Sequence, residues 1–345
     1  MPAEGALTSI TEMIRISIVG YGYWGKNLVR NFNSLNTCEL VSVCELNEEN
    51  AKKCATLYPQ IKIERDFETV LTSDVEAVVI ATPVNTHFAL AKKALLANKH
   101  VLVEKPMTDS FAQAKELVDL AKSKGLSLMV DHTFLYTGAV RYLKERVDNN
   151  DFGDITYIDS TRINLGLFQH DVNVLWDLAP HDISICRYIL NERPTSIQAT
   201  GLSHTDNDIE NIAFLTLKYG NERIVHFNCS WVSPVKIRQM LIGGNKKMAV
   251  YNDMEPTEKI KIYDTSFEVR SDKEKNEFNA DYRVGDIYVP KVPITEALLM
   301  MAEDFINSIA HGTEPDSNAQ LGLEVVEILE KAQISIKNKG EEISM

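Results

Sequence analysis

No apolar run in the 345-residue sequence approaches the ~20 residues that a membrane-crossing helix needs. A membrane partner is therefore not expected. Positive charge is short: 36 Lys and Arg stand against 49 Asp and Glu, for a formal net charge of −13. A general nucleic-acid binder needs a basic face for phosphate contacts, so nucleic acid is not an expected partner. A phosphate-bearing small molecule needs only one local pocket and stays open. Cysteine is sparse and scattered. Cys38, Cys44, Cys54, Cys186 and Cys229 are odd in number and form no C-x-x-C, which suggests neither a disulfide framework nor a zinc site. No metal is expected. Residues 1–12 carry Glu4 and Glu12 and lack the basic segment and apolar core of a signal peptide. The expectation is a reduced, cytoplasmic protein. Internal repeats and low-complexity tracts are missing too.

What is present reads as a short leader over residues 1–13 followed by two domains, each able to bury a core at this length. Residues 14–19 are apolar and β-branched, the pattern of a buried parallel strand. They run into Gly20-Tyr21-Gly22-Tyr23-Trp24-Gly25, and residues 26–32 read as a helix. A G-x-G-x-x-G between a strand and a helix is a dinucleotide-binding fingerprint. Gly20 permits the tight turn, Gly22 lets a pyrophosphate approach the backbone, and Gly25 lets helix and strand pack closely. The helix N-terminus offers N–H groups to the phosphates. A strand over 39–44 ends at Glu45, 20 residues past Gly25, where an acid bonds the adenosine ribose hydroxyls. A carboxylate there repels a 2′-phosphate, and Leu46, Asn47 and Glu48 supply no arginine for one. NAD is expected rather than NADP. Strands at 76–81, 100–103 and 126–130 alternate with helices at 88–98 and 111–124. Such alternation implies a doubly wound parallel Rossmann sheet with helices on both faces, here over residues 14–131. Ligands bind beyond the carboxyl ends of such strands, which puts Thr82-Pro83, Lys105-Pro106 and Asp131-His132 on the rim.

Beyond Asp131 the pattern becomes α+β. A helix at 139–149, a long strand at 154–165 and a loop at 166–173 come first. Strands follow at 196–202, 212–218, 223–230, 236–242, 248–251 and 259–263, with Tyr219-Gly220-Asn221 and Gly243-Gly244-Asn245 as turn signals. This predicts a substrate-binding and oligomerisation domain over residues 132–345, built on a large, mostly antiparallel sheet with the helix at 177–190 on one face. The second face needs cover, and a homodimer or homotetramer would provide it. The charged stretch 271–291 is predicted as a long loop. Residues 294–310 and 321–336 read as helices, the last a candidate to pack back on the nucleotide-binding domain.

Asp177 and His181 are four residues apart, on one face of a helix. A carboxylate that orients an imidazole holds it in one tautomer for proton transfer. Pro180 has no N–H, which is harmless only in the first helical turn. The helix is therefore expected to start near Trp176 or Asp177, or else to be kinked. Its dipole would then favour the carboxylate and disfavour imidazolium, leaving a neutral His181 suited to act as a base. A helix-terminal acid beside an ordinary hydrogen-bonded histidine is the plainer alternative. Asp182, about 100° further round the helix, reads as structural.

Gly20-x-Gly22-x-x-Gly25, Ala81-Thr82-Pro83 with His87, Glu104-Lys105-Pro106 and Asp177-x-x-x-His181 occur in one order and at compatible spacings. Together they resemble the glucose–fructose oxidoreductase/inositol 2-dehydrogenase/MocA (Gfo/Idh/MocA) family over residues 14–336. Segments 161–166, 171–177 and 282–288 are most similar to bacterial members that oxidise nucleotide sugars such as UDP-N-acetylglucosamine at the 3-position. The resemblance implies NAD bound by the glycine motif, Glu45, the 81–83 turn with His87, and Glu104-Lys105-Pro106. It implies a cis Pro106, with Lys105 between nicotinamide ribose and substrate. Asp177 would bind a substrate hydroxyl and steady the imidazole, and His181 would be the general acid/base. Asp131-His132-Thr133-Phe134 departs from the asparagine- or arginine-containing segment the family often has there. His132 either contacts substrate or lines the rim. Arg162 and Asn173 are candidate substrate contacts; a paired surface arginine and a turn asparagine are the alternatives. Tyr21, Tyr23 and Trp24 either wall the cofactor or pack. Oxidising a carbinol needs a base for the hydroxyl proton and a donor for the developing oxyanion. Whether His181 or Lys105 is the principal base stays open. The implied activity is NAD-dependent oxidation of a nucleotide sugar to its 3-keto form, for cell-envelope polysaccharide or lipid A synthesis. An inositol or free-sugar dehydrogenase, a 3-ketoreductase and a non-catalytic NAD-binding sensor are the rivals.

Overall fold

The computed structural model describes residues 13–166, 168–169, 172–206, 208–269 and 280–345. The leader up to Glu12, Asp171 and residues 271–279 of the expected loop lie outside the described residues. The chain divides into two compact units, neither continuous in sequence. The first takes the chain up to Glu104, Leu117–Met129 and Leu298–Asp316; the second takes Lys105–Glu116, Val130–Ala297 and Ser317–Met345.

The sheet of the first unit contains, among the described residues, β1 (Ile14–Val19), β2 (Cys38–Cys44), β3 (Lys62–Glu64), β4 (Ala77–Ile80), β5 (His100–Glu104) and β6 (Leu128–Asp131), in the order 3-2-1-4-5-6. The ladders β3–β2, β2–β1, β1–β4 and β4–β5 are parallel. This is the doubly wound arrangement, with its reversal of strand order beside β1. Ile16, Ile18, Val78 and Ile80 have no exposed surface. Strands covered on both faces carry such unbroken apolar runs, which is why they were readable as strands. The helices are α1 (Gly25–Ser34), α2 (Glu48–Leu57), α3 (Phe67–Thr72), α4 (Val84–Leu96) and α5 (Phe111–Lys124). The sequence pattern does not predict α2, β3 or α3. Each is short and buries little; α2 buries only Ala51 and Cys54.

The second unit holds α6 (Gly138–Asp148), β7 (Ile155–Leu165) and α7 (Val174–Leu190), then β8 (Ser196–Leu202), β9 (Ile212–Tyr219), β10 (Arg223–Ser230), β11 (Val232–Gly244), β12 (Met248–Asn252) and β13 (Ile260–Tyr263). After β13 come β14 (Ser266–Val269), β15 (Ala280–Arg283) and β16 (Ile287–Tyr288), then α8 (Ala297–His311), which from Leu298 on belongs to the first unit, and back in the second unit α9 (Ala319–Lys337) and β17 (Ile343–Ser344). Among the described residues the large sheet runs 16-13-12-11-7-10-9-8-17. Its ladders are antiparallel apart from β10 on β7. Helix α9 packs on β8 and α7 on β7, β9 and β10. The alternation in β9 follows from that cover: Ala213, Leu215, Leu217 and Tyr219 are buried, while Phe214 points outward and is exposed.

Two expectations need correction. Residues 271–291 are not all loop, because β15 pairs with β14 and β16 with β13. Tyr282 and Tyr288 are 76% and 59% exposed. These strands are held by backbone ladders rather than by burial, so no apolar alternation announces them. The second correction is the start of α7. Asn173 caps it, its Oδ1 accepting from the N–H of Leu175 and of Trp176 at 3.1 and 3.2 Å. The helix therefore begins at Val174, and Pro180 falls in the second turn. Its missing N–H leaves the Trp176 carbonyl without the usual i+4 donor. No helix among the described residues is long and apolar enough to cross a membrane.

Candidate active site

The glycine motif of the first unit is explained by three different constraints. Gly20 follows β1 at φ +95°, and a Cβ there would sit 2.6 Å from the Ala81 carbonyl oxygen. A Cβ on Gly25 would run into the Gly20 carbonyl. The chain's own packing demands both. Gly22 differs, because among the described residues no atom beyond its chain neighbours lies within 4 Å of where its Cβ would be. That space is open to a ligand. Among the described residues the N–H groups of Gly22, Tyr23, Trp24 and Gly25 make no hydrogen bond, and no side chain caps α1. Orphan donors at the positive end of a helix suit a diphosphate.

Glu45 is buried at the end of β2. Its Oε2 accepts the Tyr21 N–H at 2.6 Å and its Oε1 the Asn47 N–H at 2.7 Å. The carboxylate is thus pinned between the glycine loop and the strand end, and its remaining lone pairs are what a ribose diol can use. Arg65, which the sequence reading missed, donates to the Leu46 carbonyl at 2.8 Å and braces the same turn. Tyr21 packs: it is buried, and burial raises its phenol to about 12. Tyr23 and Trp24 are 73% and 45% exposed and meet edge to face, centroids 5.3 Å apart. The buried His87 places Nε2 2.8 Å from the Thr82 carbonyl, and the hydroxyls of Thr82 and Thr86 are 2.6 Å apart. These contacts tie the Ala81-Thr82-Pro83 turn to α4. Glu104 is buried at the end of β5. The open space at Gly22, the orphan donors and the pinned carboxylate fit NAD.

The chemistry-bearing side chains gather in the second unit. The Lys105–Pro106 peptide is cis. Lys105 Nζ donates to the Asp177 main-chain carbonyl at 2.9 Å and lies 3.8 Å from the Asp177 carboxylate. That carbonyl is next to the one Pro180 leaves without a donor. Asp177 Oδ2 accepts from the indole N–H of Trp231 at 2.9 Å. Trp231, buried just after β10, is a second residue the sequence reading missed.

His181 is half-buried. Its ring sits edge-on to Phe134 with centroids 4.9 Å apart, and its Nδ1 is buried without a hydrogen-bond partner. The expectation that Asp177 steadies this imidazole is corrected: the carboxylate turns to Trp231 and Lys105 instead. The expected neutrality of His181 holds in direction but has another cause. Burial pushes its pKa well below the ordinary value, followed by the charges of Lys105 and Arg162 and then by His132 and Arg238. With α7 starting at Val174, His181 lies beyond the first turn, where the helix dipole has faded.

His132 is buried and neither ring nitrogen has a partner. Burial, with Lys105 adding to it, lowers its pKa to about 3. Arg162 is buried in a two-bond pair with Asp182, Nε to Oδ2 at 3.0 Å and Nη2 to Oδ1 at 2.6 Å. Its guanidinium lies 4.7 Å from the centre of the Phe134 ring, and its Nη1 is buried without a partner. Phe134 thus supports both Arg162 and His181. Asn173 is spent elsewhere. Besides capping α7 it donates to Glu210 at 2.9 Å and to Gln333. The second unit therefore offers a neutral imidazole as proton acceptor, an amino group as donor, and a carboxylate that fixes the amino group. No group of three or more metal-binding side chains occurs among the described residues.

Residues 14–132 match the model of the Gfo/Idh/MocA oxidoreductase family, NAD-binding Rossmann fold, and residues 140–250 that of the Gfo/Idh/MocA C-terminal domain. UDP-N-acetylglucosamine 3-dehydrogenase of Acidithiobacillus ferrooxidans is 29% identical over 213 residues, 60% of this chain and 64% of that protein. The chain thus spans less than two-thirds of the first curated relatives it matches. The crystal structure of that enzyme, GnnA, superposes with a TM-score of 0.77 at 24% identity, covering 94% of this chain and 98% of the other. GenD2 from gentamicin A biosynthesis, in complex with NAD, gives 0.81 at 19% identity over 100% and 99% of the two chains. Both structural likenesses are likenesses of fold.

Gly22→Val should leave stability within about 0.5 kcal/mol yet weaken NAD binding by about tenfold or more, read by fluorescence titration. Undiminished NAD affinity would remove the cradle. His132 gives a second test. Unfolded, it titrates near ~6.5; folded, at about 3. As pH falls below the unfolded value, the unfolded chain takes up a proton that the folded protein refuses, so stability is lost in acid. Between pH 7 and pH 5 the native protein should lose about 2 kcal/mol more than His132→Phe in urea unfolding. Equal losses in the two proteins would contradict a buried, neutral His132.

Proposed function

This chain belongs to the Gfo/Idh/MocA oxidoreductase family, and from that premise we propose that it oxidises a secondary alcohol of a nucleotide sugar with NAD as acceptor. The substrate is UDP-N-acetylglucosamine or a close relative, oxidised at the 3-position. The observation that carries the reading is the grouping of Lys105, Asp177 and a neutral His181 in the second unit, in a chain whose first unit has the dinucleotide cradle. The 29% identical relative, a UDP-N-acetylglucosamine 3-dehydrogenase, supports the choice of substrate.

NAD, when bound, supplies the hydride acceptor. The chain's own task is to hold the carbinol oxygen and remove its proton. His181 receives that proton; for Nε2 to accept it, the buried Nδ1 must carry the ring hydrogen. Lys105 Nζ, aimed by its bond to the Asp177 carbonyl, donates to the same oxygen as it becomes a carbonyl. Asp177, held in turn by Trp231, keeps that amino group in place. The product is a 3-keto sugar, the class of compound an aminotransferase consumes, which supports reading the reaction as a step of amino-sugar synthesis for the cell envelope.

The test is to incubate the protein with NAD and a panel of UDP-sugars, inositols and free sugars while following NADH. Turnover on UDP-N-acetylglucosamine is expected, and His181→Ala should lower kcat by about 10²–10⁴-fold. Turnover on inositol alone would overturn the substrate assignment. Tight NAD binding with no turnover on any candidate would favour a sensor.

A further inference from the structure

The second unit has a cavity that the chemistry above does not use. It measures about 520 Å³ and lies between the start of α6, the turn joining β12 to β13, and residues 291–295. Pro256, Val292 and Pro293 make much of its wall apolar, and Lys259 and Lys291 bring amino groups to it. Lys259 Nζ bonds the Asp253 carbonyl at 2.7 Å and lies 3.4 Å from the Asp253 carboxylate. Lys291 is exposed and has no ion-pair partner among the described residues.

The cavity lies on the same side chains that lead to His181: Arg238, bonded to Asp253, pairs in register with Arg162 across β11 and β7, and Arg162 and His181 both rest on Phe134. Asp253, on its wall, also accepts from Arg238 Nη1 at 3.4 Å. Arg238 is one of the charges that act on His181, and Asp253 acts on Arg162. Among the residues that line the cavity, Lys259 and Lys291 outnumber the one carboxylate, Asp253, on a chain of net charge −13. The volume is within the ~300–1,000 Å³ of small-molecule sites. A second sugar would need a wall rich in hydrogen-bonding groups, which this one is not. A nucleoside diphosphate matches it: an apolar face for the nucleoside and amino groups for the phosphates. A nucleotide sugar with its sugar at His181 must carry its diphosphate away along some flank, and this one is suited to receive it.

We propose that this cavity binds the nucleoside diphosphate part of the substrate, with Lys291 and Lys259 on the phosphates and Pro256, Val292 and Pro293 against the nucleoside. The assignment rests on the nucleotide-sugar reading above. Calorimetric titration of the full chain with UDP tests it, using native protein, Lys291→Glu and Thr295→Trp, the last filling the cavity. UDP should bind the native protein and bind both variants about tenfold or more weakly, while NAD affinity is retained as a check on folding. With UDP-N-acetylglucosamine as substrate, KM should rise in both variants and kcat at saturation should persist. UDP binding indifferent to both substitutions would overturn the cavity assignment and leave the nucleotide-sugar reading standing. No binding of UDP to the native protein would overturn both.

Discussion

The bond from Lys105 Nζ to the Asp177 carbonyl is the constraint around which the second unit's chemistry is arranged. Main-chain carbonyls inside a helix are normally taken by the N–H four residues on. Pro180 removes one such donor from α7, and beside that gap a side chain from outside the helix reaches the backbone. The lysine is thereby fixed by an acceptor that cannot change rotamer, with the Asp177 carboxylate at 3.8 Å as a second, softer restraint. One turn later the same helix presents His181 against Phe134. Pro180 frees the neighbouring Trp176 carbonyl, and the same helix both anchors Lys105 through Asp177 and carries His181.

The charge state of the imidazole follows from its surroundings. Burial and the charges of Lys105 and Arg162 keep His181 neutral, and burial keeps His132 neutral. These surroundings have a cost. Both nitrogens of His132, Nδ1 of His181 and Nη1 of Arg162 are buried without partners, and each such group sacrifices about 1–3 kcal/mol relative to one that is satisfied. Two of them, on His181 and Arg162, share the Phe134 ring, and there a polyhydroxylated ligand would supply what the protein withholds.

Sequence and structure agree where the constraint is local and part company where it is not. Gly20 and Gly25 were legible because a positive φ and close backbone approaches demand them, and Gly22 because the motif keeps its place open for a ligand. The buried strands were legible because cover on both faces forces unbroken apolar runs. The Asp177–His181 pairing was misjudged because helical spacing permits a contact without compelling it. Trp231, 54 residues away in sequence, competes for the carboxylate and takes it. The start of α7 is set by the cap at Asn173, which Pro180 alone does not reveal. Arg65 and Phe134 gave no signal, since an arginine bonded to main-chain carbonyls and a phenylalanine stacked under another arginine look ordinary in sequence. Strands β15 and β16, being exposed, leave no alternation to read.

The claim at the centre is that this chain removes hydride from the 3-position of a UDP-linked N-acetylhexosamine. UDP-N-acetylglucosamine deuterated at that carbon alone, incubated with the protein and NAD, tests it most directly by mass spectrometry of the reduced cofactor. The predicted result is transfer of the deuterium to the nicotinamide with formation of the 3-keto sugar. Reduced cofactor lacking the label, or an oxidised sugar that still carries the deuterium at the 3-position, would contradict it.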